Sequence, residues 1–163
     1  MEGRHSIELA LPGASIGAVA GAMAGGLTLF AGAPTGVAAV SALALAAPLA
    51  LFGGLYGVLL GHGVLRPGTF GPAGLYWMAA FPLSRLLQES VAGVGGMADG
   101  LLPFVAYQAM VALGFAIGFV WMHERLMPYW LLRRAGANPR AKALLGSYVR
   151  YAEALRARKG ARR

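Results

Sequence analysis

Residues 9–65 read LALPGASIGAVAGAMAGGLTLFAGAPTGVAAVSALALAAPLALFGGLYGVLLGHGVL and contain no Asp, Glu, Lys or Arg. An α-helix rises about 1.5 Å per residue, so about 20 apolar residues cross a hydrocarbon core about 30 Å thick. The run is long enough for two crossings, and the cluster Gly32-Ala33-Pro34-Thr35-Gly36 divides it with turn-forming residues. A first helix is therefore expected at about 12–32 and a second at about 37–60. Downstream, Gly61-His62-Gly63, Arg66-Pro67-Gly68 and Gly71-Pro72 read as a loop. A third apolar segment, about 73–94, opens AGLYWMAAFPLS and carries Arg85, Gln88 and Glu89; a short Gly-rich turn over 95–100 then leads into a charge-free fourth segment, about 101–123.

Composition points the same way. Of 163 residues, 58% are apolar and 12% charged, and the mean hydropathy is +0.62. Soluble domains carry about twice that share of charge, so too little is present here to cover a water-facing surface. The expected class is an all-α polytopic membrane protein: four transmembrane helices within 12–123, a segment 1–11 before them, and a basic amphipathic helix in the tail 124–163. The absence of cysteine excludes disulfides, thiolate metal sites, iron–sulfur ligation and cysteine nucleophiles.

The net charge of +8 is unevenly spread. Residues 124–163 hold eleven Lys or Arg against two Glu, or +9, whereas residues 1–123 hold three Arg against four acids, or −1. Cytoplasmic loops retain Lys and Arg, and short translocated loops do not. With four crossings, both termini and the 61–72 loop share one side, which collects Arg4, Arg66 and the basic tail, while 33–36 and 95–100 have no Lys or Arg. Both termini are accordingly expected in the cytoplasm, with the chain in the cell (inner) membrane. The preference for Arg over Lys, twelve to two, fits a GC-rich bacterial genome.

In the tail, Arg133 and Arg134 precede Gly136 at a plausible helix end, and Asn138-Pro139 is a good N-cap and first-turn pair. Ala141, Leu144, Leu145, Tyr148, Ala152 and Leu155 then recur at three- and four-residue spacing, with Arg140, Lys142, Arg150, Arg156 and Lys159 mainly around them. Such a helix suits the anionic cytoplasmic leaflet, or equally an acidic partner surface, better than nucleic acid.

Glycine spacing supplies the clearest further pattern. Gly13, Gly17, Gly21 and Gly25 recur every fourth residue, Gly53, Gly57 and Gly61 repeat the spacing, and Gly114 with Gly118 gives it again. Residues four apart share a helix face, and a face without side chains lets a neighbouring backbone approach closely, within one bundle or between subunits. The polar group of the third segment is Ser84, Arg85, Gln88 and Glu89, with Tyr107 and Gln108 at similar depth in the fourth. An arginine in mid-membrane costs about 2.5–3.5 kcal/mol, so Arg85 is expected to face protein or water and to pair with Glu89 one turn on. An internal ion pair, a subunit interface and a polar path all fit that pattern.

His62 and His123, near the ends of the second and fourth helices, form a metal-site candidate with Glu124, conditional on those ends meeting. Interfacial histidines are the plainer reading, and no metal or cofactor is expected. No phosphate-binding G-x-x-x-x-G-K-[ST] loop or G-x-S-x-G elbow is present. The chain therefore reads as a noncatalytic integral subunit of a larger membrane assembly, with protein partners and lipid rather than nucleic acid. The alternatives are a small oligomeric channel or transporter with Arg85 and Glu89 near the path, or a membrane enzyme or cofactor-binding subunit using His62 and His123.

Overall fold

The computed structural model describes residues 2–93 and 95–161, and those residues form five α-helices without a strand. They are α1 (Glu2–Phe30), α2 (Thr35–Gly61), α3 (Phe70–Ala92), α4 (Leu101–Arg134) and α5 (Pro139–Gly160). Three of them, α1, α2 and α4, are long and apolar enough to cross a membrane. At 34 residues α4 extends about 51 Å, some 20 Å more than a hydrocarbon core, so its last turns lie beyond any bilayer it spans. Arg85, Gln88 and Glu89 make α3 the more polar companion of these three.

Two helix starts differ from the sequence expectation. The first helix begins ten residues earlier than residue 12, because the stretch before Pro12 contains helix-compatible residues and only one glycine, and charge marks a membrane boundary without ending a helix. The third begins at Phe70, taking in Gly71-Pro72. A proline in the first turn costs little, since the N–H it lacks has no intrahelical acceptor there. The helix ends where Gly93 adopts φ +57°, its N–H donating to the Glu89 carbonyl.

The first four helices form a ring in which α1 packs on α2, α2 on α3, α3 on α4 and α4 back on α1; the diagonal pairs make no close backbone approach. The α1–α2 hairpin is the tightest pair. A Cβ built on Gly13 would overlap the backbone of Gly53, one on Gly17 the backbone at Leu49 and Ala50, one on Gly21 the backbone of Ala46, and one on Gly57 the Leu9 carbonyl. On the other side of the ring the core is aromatic. Tyr56, Tyr76, Trp77, Phe81, Phe115 and Phe119 pack with successive centroids 4.4–5.7 Å apart, mostly edge-to-face or tilted, the arrangements ring quadrupoles favour. The Tyr76 hydroxyl donates to the Phe52 carbonyl at 2.6 Å and so ties α3 to α2.

Helix α5 closes one end of this ring, with Ala141, Leu144 and Tyr148 buried against it and every residue from Val149 to Ala161 exposed. Its first turn is held by Asn138, a fully buried side chain whose hydrogen-bonding capacity is used on both sides. Asn138 Oδ1 accepts from the N–H groups of Arg140 and Ala141, and Nδ2 donates to the His5 carbonyl at 2.9 Å and to Glu8 Oε2 at 3.1 Å. One asparagine therefore caps α5 and binds it to the start of α1.

A second tie between distant elements follows from proline chemistry. Pro12 has no N–H, so the carbonyl of Glu8, four residues earlier, lacks its intrahelical donor. Trp130 of α4 supplies one, with Nε1 2.9 Å from the Glu8 carbonyl oxygen.

Candidate functional site: glycine faces and buried polar groups

The glycines separate into two groups. The four-spaced glycines of α1 and α2 lie in the contact between those helices, Gly13 and Gly53 against each other and the others against non-glycine residues, with Gly25 against Ala42 and Gly61 against the Leu9 side chain completing the rows described above. Gly114 and Gly118 differ. A Cβ on either would have no neighbour within 4 Å, and they lie on an exposed face of α4 with Tyr107, Met110, Ile117 and Trp121, opposite the buried Gln108, Ala112, Ala116 and Phe119.

The polar residues of α3 turn to separate partners. Gln88, buried, donates from Nε2 to both the hydroxyl (2.7 Å) and the carbonyl (3.1 Å) of Ser41 on α2. Ser84, also buried, donates to the Ala80 carbonyl one turn earlier. Glu89 is 5% exposed and accepts the Gly96 N–H on Oε1 at 2.7 Å, which ties its carboxylate to the α3–α4 turn; Arg85, one turn earlier, is half-buried. Gly96, though exposed, lies close to Phe104 and the Glu89 carboxyl, which places that turn over the end of α3. Tyr107 and Gln108, adjacent in sequence, lie about 100° apart around α4; Gln108 is buried whereas Tyr107 is 62% exposed and faces away from the ring.

The histidines are not brought together by any shared contact. His62 is exposed, with Nδ1 2.9 Å from the Val58 carbonyl, whereas His123 is 0% exposed, stacked on Phe119 and edge-on to Tyr56 at centroid distances of 5.6 and 5.1 Å. Neither ring nitrogen of His123 has a hydrogen-bond partner. Among the described residues no three His, Asp or Glu side chains are grouped to hold a metal. Glu124 instead joins three elements: its Oε1 accepts from the Gly68 N–H at 3.2 Å and from the Tyr148 hydroxyl at 3.4 Å. Burial, with the Glu124 carboxylate beside it, pushes the Tyr148 phenol above its ordinary range.

Of the basic residues singled out in the tail, Arg133, Lys142, Arg150 and Arg156 are exposed, and Arg134 and Arg140 half-buried. The Arg134 guanidinium lies over the Trp130 ring, 4.9 Å from its centroid. The ties made by Trp130, Asn138, Glu124 and Ser41 were not anticipated from spacing. Pro12 alone signalled one of them, since an interior proline leaves a carbonyl seeking a donor. The chain matches no protein-family model, and no curated protein or solved structure is similar to it.

Proposed function

We infer that this chain is a noncatalytic integral membrane subunit, crossing the bacterial inner membrane four times with both termini in the cytoplasm and offering α4 to a partner membrane protein. The observation that carries the reading is the α4 face. Its Gly114 and Gly118 are open where the glycine rows of α1 and α2 are covered by the facing helix, and a small-residue face is what a second transmembrane helix packs against. The polar groups of α3 support a structural role in part, because Gln88 Nε2 and Glu89 Oε1 are engaged by Ser41 and Gly96 within the chain. A transport path would require Arg85 and Glu89 together on a wetted surface. A fourth crossing by α3 is supported by its 23 residues, about 35 Å, and by the placement of its polar groups toward α2 and the α3–α4 turn. The one-sided basic residues support cytoplasmic termini, and the exposed basic surface of α5 supports contact with anionic lipid at the tail.

Gentle extraction followed by native mass spectrometry tests the assignment. A stable hetero-complex that is lost with Gly118→Leu supports it. A closed homo-oligomer that makes liposomes permeable to ions overturns it. Because the native chain has no cysteine, single cysteines report topology directly. Labelling of a cysteine at Thr35 or Ala98 by an impermeant reagent in intact cells, with protection of one at Gly160, is the expected pattern.

A further inference from the structure

Between the α2–α3 loop and α5 lies a cleft of about 430 Å³, within the range of about 300–1,000 Å³ typical of small-ligand sites. Its apolar wall is formed by Leu60, Leu65 and Leu144, all buried, and two exposed arginines, Arg66 from the loop and Arg150 from α5, stand among its lining residues. None of the lining residues is acidic. The nearby Glu124 is already occupied by the Gly68 amide and the Tyr148 hydroxyl, and Glu153 is exposed on α5 beyond the lining.

The cleft is built rather than incidental. Thr69 donates to the Arg66 carbonyl at 2.7 Å and fixes the turn that carries Arg66. Arg150 donates from Nη2 to the Ser147 hydroxyl at 2.9 Å, which holds its guanidinium beside the cleft with further N–H donors that have no partner among the described residues. Gly68, at φ +72°, lies directly under the Tyr151 ring, so any side chain there would displace the wall.

Position identifies the occupant. The cleft begins at Leu60, one residue before α2 ends, and so lies where a membrane-spanning α2 leaves the hydrocarbon. A ligand there meets leucine on one side and two guanidinium groups on the other, the polarity of a phospholipid at its glycerol–phosphate junction. We propose that the cleft between Arg66 and Arg150 binds the phosphate headgroup of one anionic phospholipid, fastening the α2–α3 loop and α5 to the membrane surface. The proposal rests on the membrane placement inferred above, and it concerns one seated lipid rather than diffuse attraction by the tail.

The test uses the full-length chain in phosphatidylcholine nanodiscs containing phosphatidylglycerol, with retained lipid counted by native mass spectrometry. One phosphatidylglycerol per chain is expected to be retained in preference to phosphatidylcholine. Removing both guanidiniums in R66Q/R150Q is expected to weaken retention about thirtyfold, at about fivefold for each arginine near anionic lipid. R158Q/K159Q, outside the cleft, is expected to retain it, and Ser147→Trp, which fills the cleft at constant charge, to lose it. Either cleft variant decides alone if the other fails to fold, as judged by helicity. Equal loss in R158Q/K159Q, or retention in a folded cleft variant, overturns the proposal. Displacement of the lipid by millimolar orthophosphate also overturns it, since the ligand would then be a soluble phosphate. Nanodiscs expose both faces, so an inverted topology would appear in the cysteine labelling and leave this measurement unchanged.

Discussion

Replacing Trp130 by Phe removes the donor to the Glu8 carbonyl and keeps most of the aromatic surface, including the face under Arg134. In most helices such a carbonyl would retain its intrahelical N–H, and the loss would be small. Here Pro12 denies it that donor, so Trp130→Phe leaves a partly buried carbonyl unpaired at a cost of about 1–2 kcal/mol. Pro12→Ala restores a backbone N–H in register with Glu8. In that background the same Trp130→Phe change should cost only about 0.5 kcal/mol, giving a coupling of about 1 kcal/mol, or about fivefold in the folding equilibrium. The coupling does not depend on how Pro12→Ala alone alters helix stability, because that effect is common to both members of the second pair. The four chains would be unfolded in mixed micelles by graded denaturing detergent and followed by circular dichroism, with the Trp130 indole proton shift recording whether its hydrogen bond persists. Equal costs of Trp130→Phe in both backgrounds would refute the argument that proline creates the need that tryptophan meets.

Gly17→Leu and Gly21→Leu should each destabilise the chain by about 3 kcal/mol or more, because the new side chains meet the backbone of α2, whereas Ala22→Leu, on the exposed side of α1, should change stability by less than about 0.5 kcal/mol in the same unfolding assay. Asn138→Ala should cost about 2–4 kcal/mol, combining loss of the α5 cap with loss of the Nδ2 bonds to the His5 carbonyl and the Glu8 carboxylate; an effect near that of a lone surface cap would mean the Nδ2 bonds contribute nothing. His123→Phe should be neutral or stabilising by up to about 2 kcal/mol, since it replaces a ring with two unpaired buried nitrogens by an apolar ring among Phe119 and Tyr56; strong destabilisation would show that the imidazole has a partner in the membrane.

The three long apolar helices were legible because each holds a charge-free stretch long enough to cross a membrane, and the start of α5 was legible because Asn138-Pro139 has local chemistry at a fixed offset. Spacing also identified glycine faces, yet Gly13 and Gly114 look alike in sequence and differ only in what lies opposite, which is a tertiary fact. The same limit applies to Arg85 and Glu89. Four-residue spacing suggests their pairing but gives no sign of the Gly96 amide that Glu89 Oε1 also accepts, because the turn that carries it folds back over the end of α3. At Tyr107 and Gln108, similar depth along α4 concealed a difference of about 100° in direction, enough to bury one and expose the other. The start of α1 was misplaced because the end of a hydrophobic run was equated with the end of a helix.

The contacts that bind α1 to Trp130 and Asn138 also impose an order in time. They join residues 122, 130 and 133 positions apart, whereas α1 and α2 are separated by a four-residue turn and can pair as soon as both are made. At about 5–20 residues per second, the ribosome takes about 6–24 s to travel from Glu8 to Trp130. Throughout that interval the Glu8 carbonyl, which Pro12 leaves without an intrahelical donor, waits unclaimed, and only the nearly finished chain can satisfy it. The N-terminal helix thus inserts early and is sealed last, so a polypeptide interrupted before Asn138 would display its opening residues to the proteases and chaperones that survey the membrane surface.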